Sequence, residues 1–343
     1  MRARWAKLIT ASTLVVGAAA GTGIAGAGAN ASAATPTRAV TVPLATQQVG
    51  RGTDTASYVV VRISVGGGNT VPVQLDTGSS GLLMLSSAVG RQVRSTGQRI
   101  GIPYLHDTVQ GTLDTGPVVI GGLSTPSSTG FVVMSASANP TMASNFRSNG
   151  VVGVLGMGMA NGSGLSTIWY SPLLQLPAFY RQGFSLKVSA RGAGTLTIGP
   201  TPSVDNAAGT IAAPMTPAVP NRYPNGAPGY QKDADLCWSF AGGSPNCGAT
   251  DMDIGTAAPI FDPTAVGNAP VTDNALLTPG TTVTATTPDG QPVWSYTAGT
   301  TAATNLTPLV AQGYTQFNTG INFFFSHTVT YDVAKGQFLL GPA

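Results

Sequence analysis

The sequence predicts a mostly β protein, and its composition gives the main reason. Of its 343 residues, 45 are Gly and 25 are Pro, whereas charged residues make up only 8%. Such a chain suits many short strands joined by turns, and it is poor in the residues that favour long helices. Apolar, β-branched runs recur along the whole chain, which argues against disorder. The length is sufficient for two domains with separate cores.

Residues 1–33 have the pattern of a secretory signal peptide. A basic segment comes first, formed by Arg2, Arg4 and Lys7. An apolar segment follows over residues 8–20, and a small-residue cleavage site over 31–33. Because Gly and small residues interrupt the apolar segment, we expect no stable membrane span, although an uncleaved anchor is the alternative. We therefore predict a protein that is secreted or held at the cell envelope, with residues 34–56 as a leader or linker.

The charge balance excludes several kinds of function. Removing the three basic residues of the signal peptide from the 16 Lys and Arg leaves 13, against 13 acidic residues. A chain without net positive charge lacks the basic surface that nucleic-acid binding needs. All the acidic residues are Asp, so any carboxylate chemistry must use Asp, and a metalloprotease H-E-x-x-H motif is excluded.

The cysteines and histidines predict a disulfide and no metal site. Cys237 and Cys247 stand ten positions apart in a chain that we expect to be exported, which favours one local disulfide. Together with the distant His106 and His327 they do not form the spacing of a zinc site. We expect neither a metal ion nor another cofactor.

The stretch Leu75-Asp76-Thr77-Gly78-Ser79-Ser80 places a carboxylate between two strand-like segments, residues 71–74 and 81–85. Burying Asp76 is costly unless it is hydrogen-bonded, and the neighbouring hydroxyls and backbone amides can supply those bonds. Asp, Gly and Ser also favour turns, so a plain hairpin turn is the alternative interpretation.

Further strands and two helices are predicted from apolar patterning. The predicted strands cover residues 58–65, 99–105, 108–113, 118–120, 130–134, 151–158, 184–188, 194–198, several segments within 268–296, and the end of 320–340. Helices are expected at 171–182 and 302–312, and a linker or crossing segment at 200–230.

A second element resembles the one around Asp76. In Asp253-Ile254-Gly255-Thr256, as in the first stretch, a Gly follows the Asp after two positions and a hydroxyl residue after three. Two such elements are far more specific than one. The self-similarity of the two halves is weak, but it predicts an internal duplication.

With these two elements the sequence resembles the pepsin-like aspartic proteases, bacterial exported members in particular, over almost the whole mature chain. Asp76-Thr77-Gly78-Ser79-Ser80 is similar to the family's first catalytic motif, and Tyr104 falls where the family has its flap tyrosine. The resemblance extends to the sequence elements at residues 153–156, 184–186, 194–199, 237–247, 328–332 and 338–342.

The resemblance implies a bilobal, all-β acid protease fold with pseudo-twofold lobes. The N-terminal lobe would cover 57–200 and carry Asp76, and the C-terminal lobe would cover 201–343 and carry Asp253. The two carboxyl groups would share a proton and activate a water molecule. Residues expected to support this pair are Thr77, Gly78, Ser79, Gly255 and Thr256. Tyr104 and Leu83 would contact substrate or the flap.

Three residues depart from the family pattern. Ile254 replaces a Thr, so one arm of the hydroxyl-to-backbone clasp between the two loops is missing, a loss of about 1 kcal/mol. Leu83 replaces the Trp partner of the flap tyrosine. Asp251 adds a third carboxylate on the strand face of Asp253, and we expect it to raise the pKa values of the pair unless Gln74 or a backbone amide engages it.

Four other motifs are given a structural interpretation. The G-x-G-x-x-G at 21–26 lies in the signal peptide without a preceding strand, so it is not a nucleotide site. Leu113-Asp114-Thr115-Gly116 is interpreted as a turn beside the flap. Ser326 and His327 lack a G-x-S-x-G elbow, so we interpret the histidine as a strand-edge residue. The glycosylation sequon at 305–307 has no assigned role.

Three functional hypotheses follow. The first is an exported, monomeric aspartic endopeptidase that cleaves polypeptides and prefers apolar residues at the scissile bond. The second is a pepsin-fold protein with weak or no catalysis that binds polypeptides or acts like an inhibitor. The third is a secreted all-β structural domain in which the two Asp-x-Gly elements are accidental turns.

Overall fold

A computed structural model of the protein describes residues 38–49, 56–104, 107–160, 166–200, 209–299, 306–311 and 317–343. The predicted signal peptide and its glycine motif, His106 and Asn305 lie outside these ranges. Among the described residues, no helix has the length and apolarity that crossing a membrane requires.

The first half of the chain consists of twelve strands and two short α-helices within the described ranges. The strands are β1 Val40–Val49, β2 Ala56–Val65, β3 Val71–Asp76, β4 Ser80–Leu85, β5 Arg94–Tyr104, β6 Asp107–Thr115, β7 Val118–Ile120, β8 Leu123–Ser124, β9 Gly130–Met134, β10 Gly153–Met157, β11 Phe184–Lys187 and β12 Gly192–Ile198. The helices are α1 Pro140–Ser148 and α2 Pro172–Gln175, and short 3₁₀ turns lie at Ser86–Ala88 and Tyr180–Gln182.

The second half repeats this composition. Its described strands are β13 Ile211–Pro214, β14 Pro217–Arg222, β15 Pro228–Tyr230, β16 Asp233–Phe240, β17 Asn246–Asp251, β18 Ile260–Phe261, β19 Thr282–Thr286, β20 Pro292–Thr297, β21 Leu309–Val310, β22 Phe317–Asn318, β23 His327–Asp332 and β24 Gln337–Pro342. Its helices are α3 Pro263–Val266 and α4 Asn322–Ser326. The prediction of a mostly β fold is therefore confirmed.

Two sheets carry the two Asp-x-Gly loops. The larger runs in the order β13-β24-β23-β11-β12-β1-β2-β3-β10-β4-β9-β6-β5, with β7 and β8 attached to β2. The smaller runs β20-β19-β16-β17-β22-β18-β21, and β14 and β15 form a separate ribbon. The final strands, β23 and β24, belong to the larger sheet, because β23 pairs with β11 of the first half.

The same local topology surrounds both loops. β10 lies between β3 and β4, parallel to the former and antiparallel to the latter. In the second half, β22 lies in the same way between β17 and β18. In each half, the strand that leads to the loop pairs with an inserted strand on one side. This repeated arrangement agrees with the internal duplication that the sequence predicted.

Gly156 shows how closely the inserted strand packs. A Cβ atom at this position would lie 2.5 Å from the carbonyl oxygen of Gly81 and 2.8 Å from that of Ser79. Only a glycine allows β10 to approach the loop after Asp76 this closely, which explains the glycine-rich run that the sequence shows there.

The predicted leader at 34–56 is corrected by the structure. Residues 40–49 form β1, which pairs with β12 on one side and with β2 on the other. Val42 and Leu44 are buried and their neighbours Thr41, Pro43 and Ala45 are exposed. This alternation is the period of a half-buried strand, and the Thr, Pro and Ala content of the segment had obscured it.

Three other segments differ from their prediction. The described part of 200–230 contains β13, β14 and β15 instead of a linker. The helix at 171–182 ends after one turn at Gln175, because Pro177 cannot continue it. Within 302–312, the described residues 306–311 contain the strand β21, which pairs with β18. The helix α1, by contrast, was not predicted.

Candidate active site

Asp76 is the last residue of β3, and the loop that follows surrounds its carboxylate with donors. Oδ1 accepts hydrogen bonds from the backbone N–H of Gly78 at 2.8 Å and of Ser79 at 3.1 Å. Oδ2 accepts a bond from the Ser79 hydroxyl at 2.7 Å. The carboxylate is buried, with 4% of the residue exposed, and these bonds offset part of the cost of burial.

Asp253 follows β17 by two residues and has an equivalent set of donors. Its Oδ1 accepts the N–H of Gly255 at 2.7 Å, and its Oδ2 accepts the Thr256 hydroxyl at 2.5 Å. Oδ2 also accepts the side-chain amide of Asn318, from the inserted strand β22, at 2.9 Å. Asn318 was not singled out in the sequence. Its contact with Asp253 depends on the pairing of β22, and no local motif indicates it.

The two loops meet face to face. A Cβ atom on Gly78 would lie 2.5 Å from Cγ of Asp253, and a Cβ atom on Gly255 would lie 2.5 Å from Cγ of Asp76. Each glycine is therefore required by the carboxyl group of the opposite loop. The two carboxyl groups therefore lie next to each other at the meeting point of the loops.

Thr77 links the two loops below the carboxyl groups. Its hydroxyl donates to the carbonyl of Met252 at 2.6 Å and accepts from the N–H of Ile254 at 2.9 Å. The side chain of Ile254 is fully buried and, being a hydrocarbon, returns no such bond to the first loop. The clasp therefore has one arm, as the sequence indicated.

The pKa of Asp76 is raised to about 7. Burial is the largest cause, followed by the charge of Asp253. The hydrogen bond from Ser79 and the charge of Lys232 act in the opposite direction, and the hydrogen bond with Asp253 raises the pKa further. Burial next to a second carboxyl group thus favours the protonated form of Asp76.

The positive charge of Lys232 pairs with the third carboxylate of the site, that of Asp251. Its ammonium forms a very short ion pair with Oδ2 of Asp251, which is fully buried. Burial raises the pKa of Asp251, and the positive charge of Lys232 opposes that rise. The sequence offered Gln74 or a backbone amide as a group that could engage the Asp251 carboxylate, and the described contacts show neither in that role. Instead, Gln74 donates to the carbonyl of Gly255 at 3.3 Å. No motif marked Lys232, because it lies in the connection between β15 and β16.

The residues expected at the flap are only partly described. Tyr104 ends β5, where its backbone pairs with Asp107 of β6 in a hairpin. Leu83 is buried in a cluster with Ile100 and Ile102 of this hairpin and with Trp169. The Trp169 indole donates to the carbonyl of Leu82 at 3.4 Å. The resemblance places a Trp at the position of Leu83. Trp169, from a different segment of the chain, supplies an indole to the same cluster.

Asp114 and His327 lie apart from the pair of carboxyl groups. Asp114 and Thr115 are within β6, paired with Phe131 and Gly130 of β9, so this Asp-Thr-Gly sequence does not form the predicted turn. His327 begins β23. Its two ring nitrogens lie 3.0 Å and 2.9 Å from the carbonyl oxygens of Phe323 and Val293, an arrangement that holds backbone segments together.

The predicted disulfide between Cys237 and Cys247 is present and joins β16 to β17, the strand that leads to Asp253. In the part of the chain that the structure describes, no group of three or more His, Cys or Asp side chains is arranged to hold a metal ion.

Two Asp-x-Gly loops that face each other across pseudo-twofold lobes define the aspartic peptidase class of folds. A family model, the PE-PGRS C-terminal aspartyl peptidase-like domain, matches residues 40–219. This match covers just over half of the chain, and the chain belongs to this family. The matched range includes Asp76 and ends before Asp253, so the second loop is assigned from the structure.

A solved structure supports the fold of the whole chain. The aspartic proteinase from Irpex lacteus matches with a TM-score of 0.61 and 18% sequence identity, over 89% of this chain and 98% of that one. This similarity confirms the predicted bilobal fold. A comparison with curated protein sequences finds no match.

Proposed function

We propose that the protein is an aspartic endopeptidase in which Asp76 and Asp253 activate a water molecule together. The observation that carries the proposal is the meeting of the two loops, where the carboxyl carbon of each Asp lies 2.5 Å from the Cβ position of the glycine in the opposite loop. Two carboxyl groups this close cannot both ionise easily, so they share one proton.

The proposal gives each carboxyl group its own role. Asp253 accepts bonds from Thr256 and Asn318 on one oxygen, and such bonds stabilise a charged carboxylate. Asp253 acts as the general base, and it takes a proton from the water as the water oxygen attacks the scissile carbonyl carbon. Asp76 donates its proton to the carbonyl oxygen, which gives a tetrahedral intermediate. Asp253 then gives the proton that it took from the water to the amide nitrogen, and the C–N bond breaks as Asp76 recovers its proton from the hydroxyl group of the intermediate.

The substrate is a polypeptide bound in an extended form, with apolar residues preferred at the scissile bond. The preference rests on the apolar cluster formed by Leu83 and the β5–β6 hairpin beside the first loop. Leu82 is fully enclosed in the core and cannot contact a substrate.

The proposal includes export and a monomeric state. The signal peptide would be removed after residue 33, and the mature chain would remain secreted or at the envelope. N-terminal sequencing of the protein recovered outside the cell and light scattering of the purified protein test these two points. A mature chain that still begins with residue 1 would contradict signal cleavage.

The central test is cleavage of an unfolded protein and of a peptide library from about pH 3 to about pH 8. Asp76→Asn and Asp253→Asn should each abolish cleavage. Asp114→Asn is the matched control, because Asp114 also precedes Thr-Gly and is buried but lies in β6. Equal cleavage by the wild type and both dyad variants would refute the assignment.

A binding or inhibitor-like protein is the second candidate, and the one-armed clasp at Ile254 favours it. In that case the folded wild type would cleave nothing over the whole pH range. It would nevertheless bind a pepstatin-type inhibitor or an unfolded polypeptide, and isothermal calorimetry would detect that binding.

A further inference from the structure

The carbonyl groups of the two catalytic-loop glycines are each held by a side chain from the other half of the chain. Gln74, two residues before Asp76, donates its side-chain amide to the carbonyl of Gly255, two residues after Asp253. Gln74 is buried, with 1% of the residue exposed. This bond runs from a strand of the first half to the loop of the second half.

The reciprocal bond comes from a lysine. The ammonium of Lys232 donates to the carbonyl of Gly78, two residues after Asp76, at 3.0 Å. Asp251, two residues before Asp253, holds the same ammonium through their ion pair. Asp251 and Lys232 together thus occupy the position that Gln74 occupies in the first half, and their contact also crosses between the two halves.

We propose that Gln74 and the Lys232–Asp251 pair are positioning residues that fix the two catalytic loops through the Gly255 and Gly78 carbonyls. A hydroxyl at position 254 would give the two loops a second contact, and Ile254 cannot make it. The bonds from Gln74 and Lys232 to the glycine carbonyls take its place. This inference rests on the proposed function for its kinetic consequences, but its geometry is independent of that function.

Lys232 differs from Gln74 because it also brings a charge. Four carboxyl groups influence its ammonium or share its site, namely those of Asp251, Asp253, Asp233 and Asp76. Tyr331 faces the same cluster and donates to the Met252 carbonyl at 3.5 Å. Burial lowers the pKa of Lys232, but the attraction of Asp251, Asp253 and Asp233 outweighs burial and raises it. Lys232 therefore remains charged and lowers the pKa of Asp76.

The two variants Gln74→Leu and Lys232→Met separate position from charge. Each removes one donor to a glycine carbonyl, so each should lower kcat by about tenfold and change KM by less than about threefold. Only Lys232→Met should raise the pKa of Asp76 and move the alkaline limb of the kcat/KM profile to higher pH. Lys232→Arg keeps a donor and a charge and should recover part of the loss.

A double variant covers the case in which Lys232→Met fails to fold because Asp251 is left without a partner. Lys232→Met combined with Asp251→Asn removes both charges, so the pKa of Asp76 should return towards that of the wild type while kcat stays low. Lys335→Met is the control, because Lys335 also pairs with an Asp, Asp332, at 3.6 Å but is 57% exposed. It should leave kcat and the pH profile unchanged.

Carbon-13 NMR titration of the Asp carboxyl groups gives a result that does not need activity. Asp76 would be assigned by its loss in Asp76→Asn. If the wild type cleaves nothing but Lys232→Met still raises the pKa of Asp76, the proposed function fails and the electrostatic part of the inference stands. If both positioning variants keep wild-type kcat, pH profile and Asp76 pKa and lose only thermal stability, the residues are purely structural and the inference is overturned.

Discussion

Thr77 and Ile254 are joined by a single hydrogen bond, from the Ile254 N–H to the Thr77 hydroxyl at 2.9 Å. The position opposite Thr77 is thus filled by a hydrocarbon that is fully buried between the halves. The Thr77 hydroxyl therefore binds the backbone of the second loop, whereas the side chain at position 254 binds nothing in the backbone of the first. The first loop is held from the other half by a more distant side chain, that of Lys232.

Replacing Ile254 tests the value of the missing arm. Ile254→Thr and Ile254→Val have nearly the same shape, so their difference reports the hydroxyl alone. If the Thr hydroxyl reaches the backbone of the first loop, Ile254→Thr should be more stable than Ile254→Val by about 1 kcal/mol, with a higher kcat. Thermal unfolding and peptide cleavage measure both. A Thr variant that is less stable than the Val variant would mean that the hydroxyl is buried without a partner.

The raised pKa of Asp76 predicts activity up to near-neutral pH. Because this pKa is about 7, the carboxyl pair keeps its shared proton across the acidic range and loses it as the pH passes through about 7. We expect kcat/KM to fall along this limb. A decline centred near pH 4, where an ordinary Asp ionises, would contradict the expectation.

The same pKa predicts how stability depends on pH. The folded chain keeps the Asp76 proton up to about pH 7, whereas the unfolded chain releases it near pH 4. The folded state therefore binds more protons in this window, so the free energy of unfolding should fall as the pH rises from about 4 to about 7. Denaturant titrations of the wild type and Asp76→Asn measure the effect, and the variant should show the smaller decline.

Asn318 should matter for the charged form of Asp253. Asn318→Leu removes the amide donor at 2.9 Å from Asp253 Oδ2 and should lower kcat by about tenfold. Asn318→Asp replaces the donor by a second carboxyl group and should lower activity further at neutral pH, because like charges at this distance repel. Equal activity of the two variants would show that the contact plays no electrostatic role.

The glycines of the two loops should not tolerate a methyl group. Gly78→Ala and Gly255→Ala would each place Cβ 2.5 Å from the opposite carboxyl carbon, so both should abolish cleavage and lower the melting temperature. Gly248→Ala is the control. In β17 its Cβ would meet only a ring carbon of Phe317 at an ordinary 3.5 Å. If this control also loses activity, the effect of the loop variants would be explained by a general loss of stability in the second half.

The first strand should be part of the mature fold and should not be removable. Leu44→Ala should destabilise the protein by about 2 to 5 kcal/mol, the usual range for a buried leucine. Thr41→Ala, on the exposed face of the same strand, should have little effect. A chain shortened to begin after Val49 should not fold, because β2 and β12 would each lose the strand that joins them in the sheet. A stable, active shortened chain would support the original interpretation of a removable leader.

The sequence predicted those features that local patterns encode. The strands around Asp76, the disulfide and the hydrogen bonds of Ser79, Thr256 and Thr77 follow from short motifs and the family that they resemble. Lys232 and Asn318 could not be predicted in this way, because their contacts with the loops depend on which strands pair. The composition of β1 also misled the prediction, because Thr and Pro suit a linker as well as the exposed face of a strand.

The pairing of β23 with β11 has a consequence for the order of events during synthesis. The larger sheet is completed only when the last residues of the chain, in β24, have joined strands made much earlier. Asp253 likewise requires Asn318, which lies 25 residues from the C-terminal Ala343. A partly synthesised chain therefore lacks the amide donor that Asn318 supplies to Asp253. The topology itself therefore makes completion of the site depend on these late strands.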